Sequence, residues 1–115
     1  MILQIFGRKK SSDTRKAIRF CKERSVEYQF IDLSEQQISP GELSHVLRYV
    51  DEQDLVDTHS RMYKKSGYDY LDYDPVEEVL EHPLLMRLPL LRVKNFAAVG
   101  FDEDILQGMI DGNYE

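Results

Sequence analysis

The sequence predicts an α/β fold in which a mixed sheet of about four strands carries helices on both faces. Three observations predict it. The amino-terminal third has the pattern strand–helix–strand, the carboxy-terminal third has the pattern of a hairpin followed by an amphipathic helix, and the middle third carries repeated helix-start signals. At 115 residues the chain is long enough for one hydrophobic core and too short for two, so we expect a single domain.

The amino-terminal third is typical of a βαβ unit. Residues 2–6 are almost wholly apolar, as in a strand that is buried on both faces. Ser11 or Ser12 can cap the helix that follows. Residues 26–31 alternate apolar and polar side chains like a second strand, which we expect to run parallel to the first after a right-handed crossover. The buried stripe of the helix is formed by Ala17, Ile18 and Cys21.

The middle of the chain carries two strong helix-start signals. Ser39-Pro40 and Asp74-Pro75 each place a capping side chain before a proline at the first helical position. Residues 55–65 are also predicted to be helical, with an end before Gly67. We therefore expect a helical insertion over residues 39–83. Its inward-facing side chains are predicted to be Leu43, Val46, Leu47, Val50, Val76, Val79 and Leu80.

The carboxy-terminal third predicts a hairpin and a closing helix. Residues 88–93 and 96–100 are apolar and extended, and Lys94-Asn95 supplies the turn between them. Residues 102–110 form an amphipathic helix. With residues 1–34, residues 84–115 should complete the sheet from which the insertion projects.

Charge is distributed unevenly along the chain, although the net charge is −6. Residues 1–24 hold eight of the fifteen basic residues and two of the 21 acidic ones, so this segment carries +6 and the remainder −12. Such a division can steer an anionic partner to one face, although a merely solvated basic helix face explains it equally well. The acidic remainder argues against direct DNA binding.

Several classes of protein are disfavoured by composition. The chain has no stretch of 18 apolar residues and its start lacks the order of a signal peptide, so we expect a cytoplasmic protein that does not associate with membranes. Its single cysteine rules out an internal disulfide. His45, His59 and His82 lack the spacing of metal ligands, and no glycine loop for phosphate is present, so neither a metal nor a cofactor is expected.

Two carboxy-terminal segments resemble the arsenate reductase (ArsC)/Spx family. They are HPLLMRLPLL at residues 82–91 and VGFDEDI at residues 99–105. Residues 14–17, TRKA, are similar to the Cys-Arg-Lys-Ala that follows the redox loop of that family. The resemblance covers nearly the whole chain. It implies a bacterial protein with a thioredoxin-like, glutaredoxin-like fold and a helical insertion.

The same resemblance implies that the redox site is degenerate. The catalytic or sensing cysteine of the family falls on Ser11, and the second cysteine of its redox-sensing branch falls on Thr14. A serine hydroxyl is hardly ionised at neutral pH and cannot form a disulfide. An oxyanion-binding arginine of the reductases falls on Leu88, and we expect the adjacent Arg87 to point away from the site.

Two further positions of the family's site can be assigned from the resemblance. A second oxyanion arginine falls near Asp57 or His59, so His59 is a candidate to line the old pocket, although we expect it to be an ordinary surface histidine. The family's cis-proline, which faces the redox loop, falls on Pro89.

These assignments lead to two competing functions. The first is a non-catalytic protein, a pseudo-enzyme, that binds a partner or a small oxyanion through a loop facing Pro89. The redox-sensing relatives bind the α subunit of RNA polymerase, so the resemblance implies that partner. Six residues are expected to bind: Lys9, Lys10, Ser11, Ser12 and Arg15 of the loop, and Pro89 opposite it.

The competing function is a thiol-dependent oxidoreductase, similar to arsenate reductase, that uses Cys21 or an external thiol. Cys21 is the one thiol of the chain, and its place on the apolar helix stripe is typical of a small core residue. A third possibility is a domain that serves only as a component of a complex.

Overall fold

Four strands form one mixed sheet in the computed structural model, which describes residues 2–114. They are β1 (Leu3–Gly7), β2 (Tyr28–Asp32), β3 (Leu90–Val93) and β4 (Phe96–Val99), and they lie in the order β2-β1-β3-β4. β1 pairs in parallel with β2, and the other two pairs are antiparallel. The mixed four-stranded sheet expected from the sequence is confirmed.

Five α-helices accompany the sheet. Helix α1 (Ser12–Glu23) joins the parallel strands, and α5 (Glu103–Asp111) follows the hairpin. Between the two pairs of strands lie α2 (Pro40–Leu47), α3 (Arg61–Lys65) and α4 (Pro75–Glu81), with three short 3₁₀ turns at Glu52–Leu55, Tyr68–Tyr70 and Pro83–Leu85. Within residues 2–114, no helix is long and apolar enough to cross a membrane.

The residues at the predicted helix starts cap those helices in the structure. The Ser39 hydroxyl accepts the amide proton of Glu42, whose carboxylate in turn accepts that of Ser39, which completes a capping box. The Asp74 carboxylate caps α4 by accepting the amide proton of Val76, and the Asp102 carboxylate caps α5 by accepting that of Asp104.

The sheet is covered on both faces, which explains its apolar strands. Side chains that alternate along a strand enter opposite cores. One core packs the sheet against α1 and α5 and contains Leu3, Ile5, Ala17, Cys21, Leu91, Leu106 and Met109. The other packs it against the insertion and contains Phe6, Leu43, Val46, Leu55, Val79, Leu85 and Leu90.

The continuous helix expected over residues 55–65 is wrong. A 3₁₀ turn ends at Leu55, Val56 forms an isolated bridge with Met86, and α3 begins only after Ser60. The backbone bonds cross to the segment before β3: the amide of Asp57 donates to the Leu85 carbonyl, and the amide of Arg87 donates to the Leu55 carbonyl, both at 2.7 Å. These pairings hold residues 53–59 beside residues 83–88, and the candidate site lies against both.

Candidate functional site

An open cleft of about 830 Å³ lies where three segments meet. One wall is the loop from β1 to α1, residues 8–13, and the second is the insertion segment 53–59. The third wall is residues 83–88, which lead into β3. The cleft therefore lies at the junction of the sheet, the start of α1 and the insertion.

Ser11 caps α1 at the edge of this cleft. Its hydroxyl oxygen accepts the amide proton of Thr14 at 3.2 Å, and its backbone is extended as in most capping residues. The amides of Ser12 and Asp13 stand in the first turn, where no helical carbonyl can receive them. The cleft thus meets the positive end of the α1 dipole.

Thr14 does not reach the cleft. Its side chain is fully buried and lies against Gly7, where even a single added carbon would collide with it. Its hydroxyl finds no hydrogen-bond partner within residues 2–114. Of the two positions at which the resemblance places redox cysteines, only Ser11 therefore lines the cleft.

The charges that line the cleft are mixed. Arg8, Lys10 and Arg87 face three carboxylates, which belong to Asp13, Asp54 and Asp57. The Nε of Arg8 is buried and has no hydrogen-bond partner in the described part of the chain. Apolar surface is added by Leu84, which is 64% exposed, and by the half-buried Leu88.

The expected direction of the Arg87 side chain is wrong. Arg87 lines the cleft, and its guanidinium lies against Gly100, where an added Cβ would stand 2.8 Å from Nη2. Alternation along a strand does not apply to Arg87, because β3 begins only at Leu90. Gly100 has a φ of +83°, so glycine meets both the conformation and the close contact at this position.

The cleft brings together three of the six predicted binding residues. Lys10, Ser11 and Ser12 line it. Arg15 does not, because it lies on the exposed side of α1 and its Nη1 donates to the carbonyl of Lys9 at 2.7 Å. Lys9 is exposed and also lies outside the lining.

Pro89 likewise lies outside the cleft lining. Pro89 is buried, and its carbonyl accepts the amide proton of Gly100 at 2.8 Å. The preceding residue, Leu88, lines the cleft instead. The Leu88–Pro89 peptide bond is cis, as the resemblance implies. His59 lines the cleft, which is the alternative that the sequence reasoning favoured less.

The basic loop also faces an acidic side chain at the end of β2. Two hydrogen bonds from Ser34, from its hydroxyl and its backbone amide, lower the pKa of Asp32, and the nearby charges of Lys9 and Arg8 lower it further. Asp32 pairs with Gly7 in the parallel register. Lys9 and Arg8 thus interact electrostatically with the Asp32 carboxylate.

Cys21 lies in the core between the sheet and α1. The residue has no exposed surface and is not part of the cleft lining. Burial raises the pKa of its thiol, and the Arg24 charge opposes that shift in part. The cleft therefore holds no thiol, because Cys21 is the only cysteine of the chain.

Sequence reasoning missed Arg8, Asp13 and Asp54 as cleft residues. Arg8 directly precedes the predicted binding residues and Asp13 lies between Ser12 and Arg15, so a prediction that took in all of residues 8–15 would have included both. Asp54 enters the cleft only because the Val56–Met86 bridge folds the insertion onto it. That pairing joins residues 30 positions apart and has no local sequence signal.

Comparison with curated proteins identifies relatives along most of the chain, whereas no family model matches it. The chain is 31% identical over 110 residues to "Global transcriptional regulator Spx 2" of Oceanobacillus iheyensis, a match that covers 90% of this chain and 80% of the relative. This chain belongs to the arsenate reductase/Spx family. It is also 23% identical over 105 residues to "Global transcriptional regulator Spx" of Streptococcus pyogenes, covering 87% of the chain and 78% of the relative.

Solved structures show that the family's thioredoxin-like fold is kept. The YffB (PA3664) protein superposes with a TM-score of 0.82 at 21% identity and covers 94% of this chain and 98% of its own. A putative ArsC-family related protein from Bacteroides fragilis gives 0.81 at 16% identity, covering 95% and 99%. An arsenate reductase from Vibrio cholerae gives 0.76 at 18% identity, covering 93% and 96%.

Proposed function

We propose that this protein is a non-catalytic member of the arsenate reductase/Spx family that binds a protein partner across the cleft at Ser11. The observation that carries the proposal is the separation of the thiol from the cleft. A hydroxyl caps α1 where the resemblance places the redox cysteine, and the single thiol is buried in the core. The redox chemistry of the fold needs an accessible thiolate, which a serine does not provide.

The competing oxidoreductase would have to use Cys21 or an external thiol. Attack by Cys21 requires exposure and ionisation, and burial opposes both. A cleft with charges of both signs and an exposed Leu84 is better matched to the polar and apolar side chains of a protein surface. We therefore favour binding over reaction.

We further propose that the partner belongs to the transcription machinery. Several relatives carry the name global transcriptional regulator, and the resemblance implies the α subunit of RNA polymerase as the specific partner. Direct contact with DNA is not part of the proposal, because the net charge outside residues 1–24 is −12. A partner of this kind would place the protein in the cytoplasm.

A small oxyanion is the second candidate ligand. The unpaired Nε of Arg8 and the two free amides of the first α1 turn favour it. Within the cleft, this second function would use Arg8, Lys10, Ser11 and Ser12, and it would leave Lys9, Arg15 and Pro89 without a direct role.

The test is direct binding of purified RNA polymerase α subunit to the immobilised chain. We expect saturable binding, and we expect the charge reversals Lys10→Glu and Arg87→Glu to weaken it at least about tenfold, since each reverses a cation that lines the cleft. Lys94→Glu is the matched control, because Lys94 is exposed at the hairpin turn outside the cleft. Absence of binding, or equal losses in all three variants, would contradict the proposal.

A further inference from the structure

The exposed face of α1 carries a strip of cations that is separate from the cleft. Spacings of three and four residues place them along one side of the helix. In the described chain their one ion pair is Lys16–Asp13 at 3.7 Å, between half-exposed side chains, where such a pair stabilises little. We define this basic strip as Arg15, Lys16, Arg19 and Lys22, all of them exposed.

A surface of opposite charge lies in the insertion. Residues 68–81 contain six acidic residues and no basic one, and we call them the acidic segment. Asp72, Glu77 and Glu81 are exposed and extend along the loop and α4. At the start of the segment Tyr70 is 93% exposed and Leu71 is 56% exposed. An aromatic ring so fully in solvent is an anchor of the kind that protein interfaces favour.

These two surfaces cannot meet within one molecule. Ala17 and Cys21 of α1 belong to the core on one face of the sheet, whereas Tyr68 and Val79 of the acidic segment belong to the core on the other. The sheet therefore separates the basic strip from the acidic segment. Each surface is therefore available to a surface of opposite charge on another molecule.

We propose that the basic strip of one copy docks the acidic segment of a second copy. The net charge of −6 opposes association at long range. At physiological salt, however, the screening length is about 8 Å, so the opposite charges in contact outweigh the repulsion between whole molecules. This surface is distinct from the cleft, and the proposal does not rest on the proposed function.

A recess beside the basic strip fits the exposed tyrosine. It has a volume of about 380 Å³ and is lined by Lys16, Arg19, Glu23, Phe101 and Glu103. A tyrosine ring from the second copy can pack on Phe101 while its hydroxyl donates to the carboxylate of Glu23 or Glu103. The contact thus combines charge complementarity with one aromatic anchor.

The geometry also predicts the kind of assembly. Because the two surfaces lie on opposite faces of the sheet, the contact is head-to-tail and each added copy exposes a new docking surface. α1 is only about 18 Å long at 1.5 Å per residue, so the buried area is small and the association is weak. The expected behaviour is open-ended association that depends on concentration and salt.

Sedimentation velocity of the purified chain at several concentrations tests this inference. At physiological salt the weight-average mass should rise above 13.5 kDa with concentration, and at high salt it should return to that value. Tyr70→Ala should also weaken association at physiological salt, because it removes an apolar contact.

Two charge-reversal variants make the test specific. Lys16→Glu/Arg19→Glu and Asp72→Lys/Glu81→Lys should each associate at least about tenfold more weakly than wild type. An equimolar mixture of the two should associate again, because both contacts regain opposite charges. Arg48→Glu/Lys94→Glu, with two exposed cations outside both surfaces reversed, should behave like wild type. Circular dichroism checks that each variant is folded.

A wild type that stays monomeric at physiological salt at every concentration would overturn the inference, and would leave the basic strip to a different acidic partner. Variants that associate normally, or a mixture that remains monomeric, would overturn it as well, because association would then use other surfaces.

Discussion

Ser11 accepts the amide proton of Thr14 and thereby caps α1 at the edge of the cleft. Its hydroxyl thus has a structural role that does not depend on any ligand. Ser11→Ala should lower the free energy of unfolding by about 1 kcal/mol, since that is the usual contribution of a serine cap. Urea denaturation measures this change. Ser12→Ala is the control at the neighbouring exposed position, and an equal loss there would contradict the capping role.

A thiol at position 11 and the thiol of Cys21 should differ in their rate of labelling. In the wild type, Cys21 has no exposed surface, so a maleimide should label it only on unfolding. Ser11→Cys should add one rapidly labelled thiol, because the amino terminus of α1 stabilises a thiolate there. Ser11→Cys/Cys21→Ser should retain the fast reaction alone. Rapid labelling of the native wild type would contradict the buried position of Cys21.

At the scale of secondary-structure elements, local signals were sufficient where a serine or an aspartate stands at a predicted helix start. Ser11, Ser39, Asp74 and Asp102 all cap the helices that follow them, and the hairpin forms at the predicted turn. The helix expected over residues 55–65 failed, because its backbone bonds go to residues 85–87 instead.

The candidate site shows the same division. Lys10, Ser11 and Ser12 were predicted as binding residues, and all three line the cleft, because they adjoin a recognisable helix start. Arg87 and Asp54 enter the cleft through the long-range Val56–Met86 bridge. The direction of their side chains therefore depends on tertiary structure that no local pattern encodes.

The insertion carries a tyrosine cluster with a pH dependence of its own. Tyr68 is buried, stacks near Tyr63 and donates to the Glu78 carboxylate at 2.7 Å. That hydrogen bond, with burial and the Glu78 charge, raises the pKa of Tyr68 to about 12. In the unfolded chain Tyr68 releases its proton near the ordinary tyrosine pKa of 10.0, so stability falls as the pH rises from there towards 12.

Tyr68→Phe should therefore show a shallower loss of stability over this alkaline range, measured by urea denaturation at a series of pH values. Cys21 also has a raised pKa, but it contributes equally to both proteins. Tyr70→Phe is the matched control, because Tyr70 is 93% exposed. An unchanged slope in Tyr68→Phe would contradict the role of the Tyr68–Glu78 hydrogen bond.

At the scale of the whole molecule, the fold of the family is retained, whereas we propose that its redox chemistry has been lost. The sheet, the cis peptide before Pro89 and the insertion are all present. The cleft that they form contains a serine cap and charges of both signs, and the thiol lies in a separate core. These features together support a binding protein in which the cleft recognises a partner.

The most direct test of that claim is a steady-state assay of thiol oxidation. Purified wild type is given reduced glutathione and glutaredoxin, with arsenate or a low-molecular-weight disulfide as oxidant, and Cys21→Ser is measured beside it. We predict no turnover above the protein-free rate for either protein, because Cys21 is buried and Ser11 cannot replace a thiol. Clear turnover by the wild type that is lost in Cys21→Ser would contradict the account.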